Sequence, residues 1–230
     1  MDTTHIPLNG QLVPLAICRH RRARRISLRL SPARDGIVMT LPVRTSVTSG
    51  MDFFRSKAGW VLANLETGKN IAFADGAVIP ILGGERIIRC VDGRGVSTLS
   101  QTELHIHSAP EFVARRVRDF LKKHLHEACL ARATAMAATL GKTVRDVKIR
   151  DTRSRWGSCS TGGTLTFHWQ LVFAPQGILD YLVAHEVAHL KEMNHSVRFW
   201  QIVAQLYPEH AKARRWLKRE GHKLHRYGKS

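Results

Sequence analysis

Three histidines and one glutamate in the last quarter of the chain have the spacing of a hydrolytic metal site. His185, Glu186 and His189 form an H-E-x-x-H motif, and His195 follows six residues after the second histidine. Residues four positions apart on an α-helix lie on the same face, so His185 and His189 can reach one ion. A catalytic zinc usually takes three protein ligands and keeps a fourth position for water. His195 is therefore the predicted third ligand.

Glu186 is the predicted general base of this site. It follows the first histidine by one residue, about 100 degrees round the helix, so it can flank the ion without binding it. Zinc lowers the pKa of a bound water towards 7, a neighbouring carboxylate can take the proton, and the hydroxide can attack a peptide carbonyl. The motif thus predicts a zinc-dependent hydrolase, with a peptide as the first candidate substrate and a nucleotide as the second.

Apolar residues recur at helical intervals around the motif and predict that its helix packs against a core. They are Ile178, Leu179, Leu182, Val183, Val187 and Leu190. Unpaired polar groups are costly in such surroundings. Two imidazoles and a carboxylate on a buried helix therefore indicate a bound metal.

Elements on both sides of this helix must hold it in place. Before the H-E-x-x-H helix, apolar residues recur every three or four positions over a long helix. Apolar residues also alternate in the short strands between that long helix and the H-E-x-x-H helix. The predicted elements are a helix over 110–141, strands over 147–149, 156–159 and 164–169, and helices over 196–206 and 211–225. Residues 109–230 are therefore predicted to form the catalytic domain.

The preceding residues, 1–108, are predicted to form a β-rich subdomain with one helix. Alternating apolar and polar residues indicate half-buried strands, and Asp-Gly or Gly-Gly pairs mark turns. The predicted elements are a leading strand or arm over 1–16, strands over 26–30 and 37–41 joined at Asp35-Gly36, a helix from N-cap candidates at 46–50 to Gly68, a hairpin over 78–91 and a strand over 104–107. The two parts together predict an α+β protein.

The chain carries an unusual excess of positive charge. It has 36 Lys and Arg against 18 Asp and Glu, a net charge of +18, which attracts polyanions such as nucleic acids and phosphorylated substrates. The basic run over 19–25 is either a phosphate-binding patch or the rim of a hairpin. Basic side chains of the long helix either track a nucleic acid backbone or are solvated, and we expect the second. They are Arg115, Arg116, Arg118, Lys122, Lys123 and Arg132.

Cysteine usage and hydropathy bear on the compartment. The four cysteines, Cys18, Cys90, Cys129 and Cys159, include no C-x-x-C pair and are expected to be reduced thiols. No apolar run approaches the roughly 18 residues needed to span a bilayer, and the N-terminal residues lack the pattern of a signal peptide. We therefore expect a cytoplasmic protein with no membrane partner.

Several segments of the chain resemble the YgjP-like family of metal-dependent hydrolases. They read SRWGSCS at 154–160, TLTFHWQLVFAP at 164–175 and HEVAHLKEMNHSVRFW at 185–200, with WLK at 216–218, RARRISLRL at 22–30 and Gly59-Trp60. The resemblance implies a zincin-like domain, related to the SprT-like proteases, in which a long helix backs a small sheet and the H-E-x-x-H helix. On that plan His185, His189 and His195 are the metal ligands and Glu186 is the catalytic carboxylate.

The R-W-G-S-C segment is predicted to contact the substrate. In zincins, the edge strand next to the active-site helix can pair with an extended substrate backbone. Arg155 can offer an oxyanion contact opposite the metal, and Trp156 is expected to pack under the H-E-x-x-H helix. The predicted substrate-binding residues are Arg155, Trp156, Ser158 and His168.

Two positions depart from the patterns that the chain resembles. His168 stands where the YgjP-like family often has asparagine. Glu192 stands where the metzincin proteases, which share the histidine spacing, have a glycine that eases the turn. Asn194 is therefore expected to take the left-handed conformation in its place.

Three classes of function are compatible with these residues. The first is a zinc peptidase, which in a hybrid form would act on proteins attached to DNA or RNA. The second is a nucleoside triphosphate pyrophosphatase, and the third is a nucleic-acid-binding protein with a structural zinc, in which Glu186 would have no task. The oxyanion-stabilising group is left open among Tyr207, His210, His222 and Arg155, and the sequence does not indicate an oligomeric state.

Overall fold

The computed structural model describes residues 3–31, 36–66, 70–152 and 155–228, without the side chains of residues 63, 64 and 66. Asp35 of the predicted turn, Gly68 at the predicted helix end and Ser154 before the R-W-G-S-C segment lie outside the described residues. The fold is α+β, as predicted, and contacts divide the chain into two units, Met1–Asn70 and Ile71–Ser230. Within the described residues, no helix is both long and apolar enough to cross a membrane.

The first unit contains a four-stranded sheet and two helices. Its elements are β1 (Thr3–Leu8), β2 (Gln11–Arg19), β3 (Ser27–Leu30), β4 (Ile37–Leu41), α1 (Val47–Ser56) and α2 (Ala58–Glu66). The sheet order is β1-β2-β4-β3, with β2 and β4 parallel and the other pairs antiparallel. Asn9 and Gly10 have φ angles of 47° and 82°, as a two-residue hairpin turn requires. The leading segment is therefore a hairpin rather than a single strand or arm.

The residues predicted as one helix in this unit form two. The Ser46 hydroxyl caps α1 by accepting a hydrogen bond from the Ser49 N–H at 3.0 Å. Lys57 ends α1 with φ −105° and ψ 18°. Phe54 and Val61, on either side of this break, are both fully buried in the core of the unit. The apolar periodicity therefore runs across the break, and the sequence pattern does not reveal it.

The second unit begins with another four-stranded sheet. Its strands are β5 (Val78–Ile81), β6 (Gly84–Val91), β7 (Thr98–Leu99) and β8 (Glu103–His107), in the order β5-β6-β8-β7. The division at residues 70/71 differs from the boundary predicted at 108/109, because the apolar side chains of this sheet share one core with the following long helix. A sheet without a core of its own does not form a separate domain.

The remaining elements follow the predicted order of long helix, small sheet, H-E-x-x-H helix and C-terminal helices. They are α3 (Val113–Thr139), β9 (Asp146–Arg150), β10 (Gly157–Cys159), β11 (Thr164–His168), α4 (Gln176–Ala188), α5 (Val197–Leu206) and α6 (His210–Glu220). Short 3-10 segments cover Pro110–Phe112, Trp169–Phe173 and Gly221–Arg226. The small sheet has the order β10-β11-β9, which leaves β10 at one edge.

Helix α3 packs against the H-E-x-x-H helix α4 and buries every fourth residue. The buried residues are Val113, Val117, Leu121, Leu125, Cys129, Ala133 and Ala137. Arg132, predicted to be solvated, instead forms an ion pair with Asp180 of α4 and donates a hydrogen bond to the carbonyl of Ala128. The ion pair joins α3 to α4. Arg132 of the basic face of α3 therefore has a structural contact where solvation was expected.

Candidate metal centre

Three imidazoles meet at the C-terminal end of α4. The ligand-capable nitrogens of His185, His189 and His195 all lie within 4.8 Å of one another. Nε2 of His185 is 3.1 Å from Nε2 of His195, while two nitrogens bound to one tetrahedral zinc lie about 3.3 Å apart. Among the described residues, these histidines are the one group of three or more side chains that could hold a metal ion.

The turn after α4 carries the chain back to the third histidine. The N–H groups of Lys191 and Glu192 both bond to the carbonyl of Ala188, at 3.1 and 3.0 Å. The Ser196 hydroxyl then caps α5 by accepting a hydrogen bond from the first turn of that helix at 3.3 Å. His195 directly precedes this cap, so the start of α5 sets its position.

The left-handed conformation expected of Asn194 is not adopted. Among the described residues other than glycine, positive φ angles occur only at Asn9 and Leu82. The chain therefore reaches His195 without a left-handed residue, and it has no need of the glycine that the metzincins carry.

The local environment disfavours the charged form of two of the imidazoles, those of His185 and His189. Burial, with the neighbouring His189 and His195, lowers the pKa of His185 to about 3. Burial also lowers the pKa of His189, whose Nδ1 lies 3.1 Å from the carbonyl of Glu192. If Nδ1 carries the proton and donates it to this carbonyl, Nε2 is left free as a ligand atom. Metal ligands must be neutral imidazoles, so the donor set fits a divalent ion.

Phe199 of α5 lies against all three histidines, a contact that the sequence reasoning missed. Its ring centroid is 4.9 Å from that of His185, 4.5 Å from that of His189 and 4.7 Å from that of His195. The side chain is fully buried. Its spacing of four from His195 was the available signal, but only the fold shows that both ends of the motif share this one ring.

Glu186 is buried beneath strand β10. Glu186 is only 4% exposed. A Cβ atom placed on Gly157 would lie 2.5 Å from Oε1 of Glu186. Burial raises the pKa of Glu186 to about 8, against the lowering effect of the Arg155 guanidinium. The glycine of the R-W-G-S-C segment is therefore required by the close approach of this carboxylate.

Two of the predicted substrate-binding residues, Arg155 and Ser158, lie on either side of Gly157 along the chain. Arg155 is exposed, and its charge acts on Glu186 as described above. Ser158 is half-buried in the middle of β10 and pairs with Thr166 of β11. Both residues thus belong to the stretch that runs past Glu186, while nothing in the structure shows a substrate against them.

Trp156 and His168 have contacts that the sequence did not predict. The Trp156 ring stacks on His225 of the last 3-10 segment, with ring centroids 4.7 Å apart, and it packs against the core to which α4 belongs. His168 is only 2% exposed. Its Nδ1 accepts a hydrogen bond from the Gln170 N–H at 3.1 Å, and its Nε2 lies 3.4 Å from Asp151 Oδ1. Burial and these contacts leave His168 little surface for a substrate, which argues against the predicted contact.

The comparison with protein families decides the class of this domain. A family model described as the YgjP-like metallopeptidase domain matches residues 24–220. The chain belongs to the YgjP-like family. This confirms the resemblance noted in the sequence, and the match to a metallopeptidase domain covers most of this YgjP-like chain.

Other comparisons add less about this YgjP-like chain. No curated protein matches it. Among solved structures, the metallopeptidase zymogen of Pyrococcus abyssi abylysin is similar at 27% sequence identity, over 41% of this chain and 94% of that chain, with a TM-score of 0.35.

The candidates for oxyanion stabilisation in this YgjP-like chain differ in position. A Cβ atom on Gly177 would lie 2.7 Å from the Tyr207 hydroxyl, which puts that hydroxyl beside the first turn of α4, about 12 Å along the helix axis from His185. His210 stacks on Trp200 at 6.0 Å. His222 lies in the last 3-10 segment. The position of the Tyr207 hydroxyl, about two helical turns from His185, argues against Tyr207.

Arg214 of α6 is a cation near the histidines that the sequence reasoning did not single out. Its guanidinium lies 4.8 Å from the centre of the Trp200 ring. That ring is 5.8 Å from His185 and 6.1 Å from His195. The charge of Arg214 also contributes to the lowered pKa of His185. Among the described residues, the Arg214 guanidinium thus acts on the pKa of His185 and the Arg155 guanidinium on that of Glu186.

Proposed function

We propose that this chain is a zinc-dependent peptidase in which His185, His189 and His195 hold the ion and Glu186 is the general base. The observation that carries the proposal is the convergence of three imidazole nitrogens within 4.8 Å at the end of α4. The family supports the class of reaction, because its domain is a metallopeptidase domain. Neutral imidazoles next to a buried carboxylate are the donor and base that such an enzyme requires.

When bound, zinc supplies a Lewis acid and an activated water. Glu186 would take a proton from the attacking water and pass it to the departing amine. A general base works best when its pKa is near the working pH, and burial brings the pKa of Glu186 to about 8 in the metal-free chain. A nearby cation lowers this value, so the carboxylate is available as a base near neutrality.

Strand β10 is the element that we propose to align the peptide. It pairs with β11 on one side and stands at the edge of the small sheet. An extended peptide can add to such an edge through backbone hydrogen bonds, with little demand on its sequence. Because Glu186 lies directly against Gly157 of this strand, an added peptide would pass close to the general base.

Arg155 and Arg214 are proposed to stabilise the negative charge that develops on the peptide carbonyl. Fixed cations aimed at a developing oxyanion are worth more than contacts to the uncharged substrate. Arg155 acts on Glu186 and Arg214 on His185. Their charges therefore reach the adjacent residues His185 and Glu186, beside which the carbonyl must lie.

Phosphoanhydride hydrolysis of a nucleoside triphosphate is the second candidate function. The net charge of +18 favours it, because a surplus of guanidinium and ammonium groups attracts phosphates. The same histidines and the same general base would serve. Binding of nucleic acid to the basic surface is a related proposal that does not exclude either reaction.

A direct comparison of substrates tests the proposal. Zinc-loaded protein is incubated with a peptide library and a nucleotide panel, with the Glu186→Gln variant as the blank. We expect cleaved peptides in the wild-type sample only. Nucleotide hydrolysis without peptide cleavage would replace the peptidase with the second candidate, and equal activity in the blank would remove Glu186 from its role.

A further inference from the structure

A cleft of about 340 Å³ opens beside His189. This volume is at the lower end of the range of about 300–1,000 Å³ that is usual for ligand pockets. Three segments line the cleft: the loop after α3 at Lys142 and Thr143, the β10–β11 turn at 160–163, and the turn after α4 at Leu190, Lys191 and Met193. His189 lines it too, so the cleft adjoins the candidate metal centre.

Backbone hydrogen bonds hold the walls of the cleft. The β10–β11 turn is closed by the Gly163 N–H on the Ser160 carbonyl at 2.9 Å, and the Gly163 carbonyl accepts from the Arg145 N–H at 3.0 Å. The Lys142 N–H bonds to the carbonyl of Ala137 at the end of α3, also at 3.0 Å. These bonds fix the β10–β11 turn and the loop after α3 to the neighbouring strands and helix. The cleft is therefore formed before any ligand enters.

The charged groups of the cleft are all positive. Lys142 and Lys191 are exposed, and among the described residues no carboxylate forms an ion pair with either of them. A third cation lies close by, because a Cβ atom on Gly162 would be 3.5 Å from Arg145 Nη1. No acidic side chain lines the cleft within the described part of the chain.

We propose that this cleft is a substrate subsite that binds a carboxylate of the peptide, close to the bond that is cleaved, through Lys142 and Lys191. The inference rests on the proposed peptidase function, because His189 belongs to both the cleft and the metal centre. Leu190 and Met193 offer apolar contacts for the methylene groups of a glutamate, while the two ammonium groups attract its charge. The carboxylate belongs either to an acidic side chain or to the C-terminus of the peptide.

Peptide binding to the zinc-loaded Glu186→Gln protein tests the subsite without turnover. The peptides share a neutral sequence with both ends blocked and carry Glu, Gln or Lys at each position in turn, and one further peptide has a free C-terminal carboxylate. We expect the best Glu peptide to bind roughly 3- to 10-fold more tightly than its Gln counterpart, since two partly screened charge pairs are involved. A gain with the free C-terminus alone would identify the chain end as the bound group.

Matched lysine variants test whether a preference for the Glu peptide depends on Lys142 and Lys191. In Lys142→Ala/Lys191→Ala the Glu peptide should bind no better than the Gln peptide, and in Lys142→Glu/Lys191→Glu the Lys peptide should bind best. The control is Lys122→Ala/Lys123→Ala, which makes the same charge change on α3, about 25 Å along the helix axis from the end of α3 that precedes Lys142. It should keep the preference for Glu.

The outcomes separate the subsite from the peptidase function. Equal binding of the Glu and Gln peptides, or a preference that survives in Lys142→Ala/Lys191→Ala, overturns the subsite. If the wild-type protein cleaves peptides but acidic residues have no effect on cleavage, the subsite is also overturned. The proposed peptidase function is then retained. A lysine-dependent preference in a protein that cleaves no peptide supports the subsite and contradicts the peptidase.

Discussion

Gly157 and Glu186 illustrate how single residues define this site. They are far apart in the sequence, yet a Cβ atom on the glycine would lie within 3 Å of three side-chain atoms of the glutamate. The H-E-x-x-H spacing was sufficient to predict the face that bears the histidines, because it depends only on the geometry of one helix. The role of Gly157 depends on a contact between a strand and a helix, and no local pattern encodes that contact.

Replacing Gly157 should therefore impair catalysis without removing the ion. In Gly157→Ala the added methyl group must displace the Glu186 carboxylate, and a shift of about 1 Å can reduce the rate by about 100-fold. The three atoms nearest to the added Cβ all belong to Glu186, so zinc content should remain unchanged. Kinetics and metal analysis are compared with Gly59→Ala, where an added Cβ meets nothing within 4 Å. Normal hydrolysis by Gly157→Ala would show that the carboxylate position is not critical.

Arg214 offers a second test at the residue scale. If its guanidinium stabilises the developing oxyanion, Arg214→Ala should lower kcat by about 10- to 100-fold, with a smaller change in KM. Arg215→Ala is the matched control, because Arg215 is the adjacent residue of α6, is likewise exposed and carries the same charge. Equal rates in the two variants would contradict the role of Arg214.

At the level of elements, α5 supports all three histidines. Its N-cap residue, Ser196, also directly follows the third histidine, His195. Its Phe199 ring contacts all of them, and Ser196 caps the helix directly after His195. Helices α3 to α6 were predictable because their apolar residues recur with the helical period. The break between α1 and α2 was not, because Phe54 and Val61 continue the same apolar period into one core.

Phe199→Leu should weaken metal binding more than it weakens the fold. Loss of the shared ring frees the imidazoles to rotate, and the loss of such support typically lowers metal affinity by about tenfold or more. The cost in stability should be about 1 kcal/mol, as for other near-conservative core changes. Phe173→Leu is the control, because Phe173 is buried in the same core but packs on Phe73, Trp169 and Tyr227. Zinc titration and thermal unfolding of both variants measure the difference, and equal zinc affinities would contradict it.

For the whole molecule, the basic side chains behind the net charge of +18 differ in their contacts. Some bond to other parts of the protein, and others are exposed. Arg19 of the basic run donates hydrogen bonds to the carbonyls of Val43 and Thr45, both at 2.7 Å. Arg132 is paired with Asp180. The sequence predicted the sum of the charges but not these internal contacts, which depend on distant residues. The other arginines of the basic run, Arg21, Arg22, Arg24 and Arg25, are exposed and have no such carbonyl contacts among the described residues.

Nucleic acid binding by this surface should depend steeply on salt. We expect the affinity for a single-stranded oligonucleotide, measured by fluorescence anisotropy, to fall as salt is raised from 50 to about 200 mM. Replacing Arg21, Arg22, Arg24 and Arg25 by alanine should make the logarithmic salt slope shallower by up to about 3. A variant with Arg115, Arg116, Lys122 and Lys123 replaced has the same charge change and should alter the slope less. An affinity that is insensitive to salt would exclude a phosphate-driven partner.

The most direct test of the metal centre is the zinc content per chain in the wild type and in four single variants, measured after equilibrium with a competing chelator. We predict about one zinc in the wild-type and Glu186→Gln proteins, because three neutral imidazoles and no carboxylate hold the ion. His185→Ala, His189→Ala and His195→Ala should each lose most of it. Unchanged zinc content in His185→Ala and His189→Ala would contradict the assigned ligands and, with them, the proposed peptidase.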